Sequence, residues 1–168
     1  LIKGDKVIKS YLVSTGLYDT PTPLGIAKIS CKQNIRIGGK YPHWIMPGFM
    51  CLSYTYSDVI HDVNADRYSF TGYGLHATPV KGHAAMRAVI RGYLAKGEPV
   101  PVSVYAQDQF RFDAIMQIGK PASHGCVRHL TEDMDFLHQF VGVGDYVVVG
   151  SNIEDPVAYA KAKLPALY

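Results

Sequence analysis

The residues of this chain best suited to covalent chemistry stand together in Ser123-His124-Gly125-Cys126-Val127-Arg128. A cysteine attacks as its thiolate, and an unperturbed thiol is mostly protonated at neutral pH, so a nucleophilic cysteine needs cationic or hydrogen-bonding neighbours to lower its pKa. His124, Arg128 and His129 are local groups able to give that help. Gly125 permits a tight turn on which the backbone amides of His124, Gly125 and Cys126 converge on a developing oxyanion. A ring two residues before a nucleophile on such a turn is poorly aimed at the thiol. His124 therefore reads as structural or substrate-orienting. The competing interpretation of Cys126 is burial as a small hydrophobe, the commonest fate of a free cysteine.

The segments around this turn carry the signals of a β-rich scaffold. Residues 1–14 hold apolar residues on both sides of Gly4-Asp5, which predicts a hairpin. The proline-rich run Thr20 to Gly25 leads into a strand over Ile26 to Ser30. Met50 to Tyr56 and Ser69 to Leu75 alternate with aromatic and β-branched content and predict two more strands, with a loop over Asp58 to Asp66 between them. His83 to Lys96 has helical spacing, with Met86, Val89, Ile90, Tyr93 and Leu94 on one face and a stop at Gly97 and Pro99. Pro99 to Tyr105 and Phe110 to Ile118 read as extended or mixed. Thr131 is placed to cap a helix carrying Glu132 and Asp133 in its first turn, with Met134, Leu137, Phe140 and Val141 as its apolar face. Val143 to Val149 predicts a closing strand, and Pro156 to Tyr168 has weak helical character.

Composition narrows the function classes. With 168 residues, 48% hydrophobic and 18% charged, the chain has enough apolar content for one domain with a real core. The net charge of +3 is spread without a basic run, which argues against nucleic-acid binding. No apolar stretch has the length of a membrane span. The chain starts at Leu1, so a removed signal peptide is expected upstream. Of the three cysteines, Cys31 and Cys51 either bridge neighbouring strands and leave Cys126 free, or all three are reduced. His61-Asp62 invites a metal reading, but the His and carboxylate spacings fit no metal-ligand set, and no metal or cofactor is expected.

Four ordered motifs now carry a family resemblance. They are Val13-Ser14-Thr15-Gly16 followed by Thr20-Pro21-Thr22-Pro23-Leu24-Gly25; Met46-Pro47; Gly74-Leu75-His76-Ala77-Thr78-Pro79; and the Ser-His-Gly-Cys turn. The chain resembles an L,D-transpeptidase catalytic domain of the YkuD type over roughly residues 1–150, with 151–168 as a C-terminal extension. The resemblance implies a mainly β fold with short helices, a sandwich of mixed sheets interrupted by a helix-containing insertion between the catalytic histidine and cysteine. It implies that Cys126 attacks the carbonyl between an L-centre and a D-centre of a peptidoglycan tetrapeptide stem, releasing the terminal D-residue and leaving a thioester. His76 would be the base, oriented by the backbone carbonyl of Ala77, where the family usually has glycine.

Further roles follow from the same resemblance. Gly125 and His124 would give backbone oxyanion donors, and Arg128 would hold a stem carboxylate, against the alternative of a surface salt bridge. Ser123 belongs to the same substrate-contacting turn. Trp44 and Met46 would wall the donor groove, against ordinary packing of a lone tryptophan, while Tyr54, Tyr56 and Tyr73 would line the approach to the thiol. Residues 77–122 exceed the usual gap and read as a lid or as a packing elaboration. The expected partners are stem peptides of peptidoglycan and carbapenem-type inhibitors, and the expected location is periplasmic or cell-wall associated. Crosslinking, L,D-carboxypeptidase trimming and non-catalytic wall binding stay open.

Overall fold

The computed structural model describes residues 1–40, 42–57, 69–106 and 109–165. The fold is mainly β, built on a mixed sheet with short helices around it. Five strands form that sheet in the order β6-β5-β4-β3-β7, and β1 (Ile2–Lys3) pairs with β2 (Lys6–Val7) in a separate hairpin turning at Gly4-Asp5. Strands β3 (Gly25–Ile37) and β4 (Ile45–Ser57) are the longest, and both extend well beyond the segments whose alternation predicts them. The reason is local. The parts beyond the predicted segments, 31–37 and 45–49, pair in regular register but carry Gln33 and Asn34 on one strand and Pro47 and Gly48 on the other, residues that do not signal a strand.

Strand β5 (Ser69–Ala77) runs antiparallel to β4, and β7 (Tyr146–Val149) closes the other edge against β3. Strand β6 (Val127–His129) is parallel to β5. Parallel neighbours need a long crossover, and the segment 77–122 supplies it. Cys31 and Cys51 face each other across β3 and β4 with Cα atoms 5.0 Å apart and are bridged, leaving Cys126 as the free thiol. A bridge closing a loop of this size contributes about 3 kcal/mol in the chain-entropy account.

Helix α3 (Thr131–Phe140) packs Met134 and Leu137, with Val141 just beyond it, under Ala27, Ile29, Met50, Leu52 and Leu75 of the sheet. Its cap differs from expectation. Leu130 occupies the N-cap, Thr131 is already helical, and no side-chain cap bond forms, so the first turn relies on Glu132 and Asp133 at the positive end of the dipole. Phe140 is exposed and stacks on Phe136 rather than joining the core.

Within the crossover, α1 (Ala84–Ala95) is capped by His83, whose ring accepts the Met86 N–H at 3.2 Å. Met86 and Ile90 bury against Ile35, Ile45 and Val80, at the end of β3 and β4 remote from β7, while Val89 and Leu94 stay exposed. The two segments read as extended or mixed are helical instead: a 3-10 turn covers Val102–Val104 and α2 spans Gln109–Ile115. Local backbone bonding there overrides a weak pattern, because neither segment has a strand neighbour to pair with. Helix α4 (Pro156–Lys163) ends the described chain, capped by Asp155. The predicted loop over Asp58 to Asp66 lies outside the described residues. Among the described residues no helix is long and apolar enough to cross a membrane.

Candidate active site

The turn carrying Cys126 is fixed from two sides. Within it, the Ser123 hydroxyl donates to the Cys126 carbonyl at 2.5 Å and accepts the Gly125 N–H at 3.1 Å. Outside it, residues 14–17 form a strap along the far edge of β6. Ser14 and Arg128 exchange backbone bonds of 2.9 and 2.8 Å, the amides of Ala122 and Ser123 both donate to the Thr15 carbonyl, and Leu17 donates to that of Ser123. A Cβ at Gly16 would sit 2.2 Å from the Thr20 carbonyl, so only glycine lets the strap fold back on the Thr20–Thr22 segment. The N-terminal motif is thus the cradle of the Cys126 turn.

Strand pairing brings the histidine. Leu75 lies opposite Val127 and His76 opposite Arg128 in the parallel pair, so His76, Arg128 and Cys126 share one face, with the thiol bonded to the backbone of Gly74. His76 is 2% exposed, and its ring stacks on Phe49 at 5.8 Å. Its Nδ1 lies 2.6 Å from the Ala77 carbonyl. A carbonyl only accepts, so Nδ1 carries the proton and Nε2 is the basic nitrogen. Replacement of the family's glycine by Ala77 leaves this backbone contact intact.

Burial decides the resting charges. Desolvation pulls His76 down to about 3, against a smaller upward push from its bond to Ala77, and the positive charge of Arg128 adds to the depression. Burial also pushes the Cys126 thiol above its ordinary value, opposed by the Gly74 bond and by the positive charges of Arg128 and Arg36. Near pH 7 the site therefore holds a neutral thiol and a neutral imidazole.

The remaining candidates fall into three groups. Arg128 is 6% exposed and so is no surface ion-pair residue; its Nη1 donates to the Ala122 carbonyl at 3.1 Å and to Gln117 Oε1 at 3.4 Å, and its buried Nε has no partner among the described residues. His124 is exposed and His129 is buried edge-on to Tyr11. Ser123, expected to touch substrate, is instead 1% exposed with its hydroxyl engaged within the turn. The Gly125 amide, expected to face the oxyanion, is likewise engaged by Ser123. Both corrections have one cause: a tight turn consumes its own polar groups to hold its shape.

Tyr73 lies against Gly125, and the hydroxyl of buried Tyr54 donates to the Pro23 carbonyl at 3.1 Å. Trp44 stands just before β4 and Met46 near its start, past the level of His76 toward the β3–β4 turn, with Met46 opposite Arg36 of β3. The Tyr56 side chain, His61 and Asp62 lie outside what is described. Among the described residues no group of three His, Cys, Asp or Glu side chains is placed to hold a metal ion. Sequence reasoning missed Phe49, Arg36 and Gln117. They reach the site through non-local pairing and the crossover's return, which leave no local motif.

Gly125 combines a φ of +107° with the Tyr73 ring 2.3 Å from where a Cβ would stand. Gly125→Ala is expected to lower stability by about 2–4 kcal/mol, adding left-handed backbone strain to overpacking. Urea unfolding measures it, and Tyr73→Ala in the same chain should recover the overpacking part; full tolerance of Gly125→Ala would contradict the turn geometry.

Comparison with known proteins follows this geometry. A family model described as the L,D-transpeptidase catalytic domain, YkuD, matches residues 1–95 and 103–149. No curated protein matches the chain significantly. Among solved structures, the chain is similar to an L,D-transpeptidase from Mycobacterium smegmatis, with TM-score 0.51 and 14% identity over 87% of this chain and 50% of that one. It is also similar to an L,D-transpeptidase from Stackebrandtia nassauensis, with TM-score 0.45 and 22% identity over 84% and 44% of the two chains. An LD transpeptidase in complex with imipenem, LdtMt1, matches with TM-score 0.46 and 15% identity over 86% and 50%. The chain thus spans about half the length of the solved structures it matches. With the family model covering most of its length, the chain belongs to the YkuD family of L,D-transpeptidase catalytic domains.

Proposed function

We propose that this protein is a cysteine acyltransferase acting on peptidoglycan tetrapeptide stems. The observation that carries the reading is the arrangement of Cys126 and His76 on one face of paired strands, with the His76 tautomer set by Ala77. In the first half-reaction, Cys126 Sγ attacks the carbonyl between the L- and D-centres while its proton passes to His76 Nε2. The tetrahedral intermediate collapses, the C–N bond breaks, and His76 returns the proton to the leaving amine of the terminal D-residue. A thioester remains on Cys126.

With the Gly125 amide engaged, the oxyanion falls to the amides of His124 and Cys126, each worth roughly 3–4 kcal/mol where such donors have been removed. Arg128 keeps its Nε edge for a stem carboxylate, and Gln117 and the Ala122 carbonyl hold the guanidinium in place. In the second half-reaction an amine of another stem resolves the thioester into a 3-3 crosslink or a related attachment. Water in its place gives L,D-carboxypeptidase trimming. A wall-binding module without catalysis is the remaining reading, and it has no need of an intact dyad.

The reading places residues 1–150 as the catalytic domain, with 151–168 as an appended tail. It also places the protein in a periplasmic or cell-wall setting, which the Cys31–Cys51 bridge supports because such bonds persist in oxidising compartments. Carbapenems, which carry a strained carbonyl and a carboxylate, are expected to acylate Cys126. Incubation with purified disaccharide-tetrapeptides, followed by mass spectrometry, is the test. Dimers with loss of one terminal residue are expected, tripeptides without dimers would mean trimming, and unchanged tetrapeptides together with no carbapenem adduct would refute the enzyme.

A further inference from the structure

Resting on the acyl-transfer reading, we propose that the groove between β3 and the inserted helix α1 holds a carboxylate of the second, amine-bearing stem. The groove encloses about 770 Å³. Gln33, Asn34 and Arg36 line it from β3, His43 from the β3–β4 turn, and Arg91 and Leu94 from α1. Arg36 and Arg91 both line this concavity, and no Asp or Glu is among its described lining residues. That is the chemistry of a carboxylate site, since a guanidinium meets a carboxylate through paired N–H donors. Arg91 is exposed and makes no ion pair among the described residues.

The groove is rigid. Ile35 and Ile45 pack on Met86 and Ile90, which holds its two walls together. His43 adopts a φ of +57°, a conformation non-glycine residues rarely take, and its Nδ1 bonds the Gly38 carbonyl at 3.0 Å.

The groove also reaches the dyad. The Arg36 guanidinium lies 4.8 Å from the Phe49 ring, and that ring stacks on His76. The positive charge of Arg36 acts on the Cys126 thiol. A stem anchored in the groove by its carboxylate would bring its amine to the thioester. There the amine nitrogen attacks the thioester carbonyl, the N–C bond forms and the C–S bond breaks. The proton lost by the amine passes through His76 to the departing thiolate, which restores the thiol. The insertion thereby gains a function: its helix is one wall of the acceptor site.

The test has two arms. In a Cys126→Ala background, titration with a disaccharide-tetrapeptide is followed by amide NMR shifts, with and without Arg91→Gln, and repeated with a tetrapeptide whose carboxylates are amidated. Arg91→Gln is expected to weaken binding of the free-acid stem about tenfold and to leave the amidated stem, already weak, unaffected. In the catalytically intact chain, the acceptor-stem KM is expected to rise about tenfold, with the rate of imipenem acylation read alongside. Equal affinity for the free-acid and amidated stems, or an unmoved KM, would overturn the proposal. So would loss of imipenem acylation in parallel with KM, which would make Arg91 a structural residue. Failure of the wild-type chain to acylate at all would refute the acyl-transfer reading, while the NMR arm would still decide whether the groove binds carboxylates.

Discussion

Cys126→Ala is expected to abolish acylation by a carbapenem and all turnover of tetrapeptide stems, and His76→Asn to slow acylation by about 10²–10⁴-fold. The two effects differ because the groups do different work. Without the thiol no thioester forms. Without the imidazole the thiol still exists, but burial holds its pKa above the ordinary value and no group takes its proton. Asparagine keeps a donor toward the Ala77 carbonyl, so the variant removes the base while preserving the contact that orients it. Arg128 and Arg36 reduce the cost of the developing thiolate, which is why a residual rate should survive in His76→Asn and rise with pH. Intact-mass spectrometry of the imipenem adduct over time reads both variants. Turnover in Cys126→Ala would refute the nucleophile, and an unslowed His76→Asn would refute the base.

Chemistry was legible in this sequence wherever reactive residue types recur in a spaced motif. The hexapeptide, His76 with Ala77, and the strap at residues 14–16 are each contiguous, and each can be read without knowing which strands meet. The helices at 84–95 and 131–140 were legible by periodicity, since a buried face on a helix repeats over several turns. The outer parts of β3 and β4, 31–37 and 45–49, were not, because Gln33 and Asn34 on one strand and Pro47 and Gly48 on the other are poor strand formers held in the sheet by their pairing.

Arg36 and Phe49 were hidden for a different reason. They join the site across β3, β4 and β5, and nothing in an isolated strand marks which positions will stand over a histidine two strands away. The Gly125 amide shows a third kind of limit. Glycine before a nucleophile correctly signals a tight turn, but which amides remain for an oxyanion depends on how Ser123 closes it.

Acidification is expected to unfold this protein before it protonates His76. In the folded chain His76 is held at about 3 and His129 at about 4, in both cases chiefly by burial, whereas an unfolded histidine titrates near 6.5. Above pH 6.5 both states carry neutral rings and the two histidines contribute nothing to pH dependence. Below it the unfolded chain binds protons that the folded chain refuses, so stability falls with falling pH. Each ring costs up to about 1.4 kcal/mol per pH unit across its window, and together they remove roughly 3 kcal/mol between pH 6.5 and 5. That is a large share of the roughly 5–15 kcal/mol that usually holds a domain folded. Urea midpoints at pH 7, 6 and 5 should therefore drop steeply, and His129→Asn should make the slope shallower by removing one of the depressed histidines, to which His138, also lowered by burial, adds in the same direction. A midpoint that stays level over that range would show that the two rings are not desolvated as described. Since His76 stays neutral throughout, the acid limb of catalysis should coincide with the loss of folded protein and show no separate step near pH 6.5.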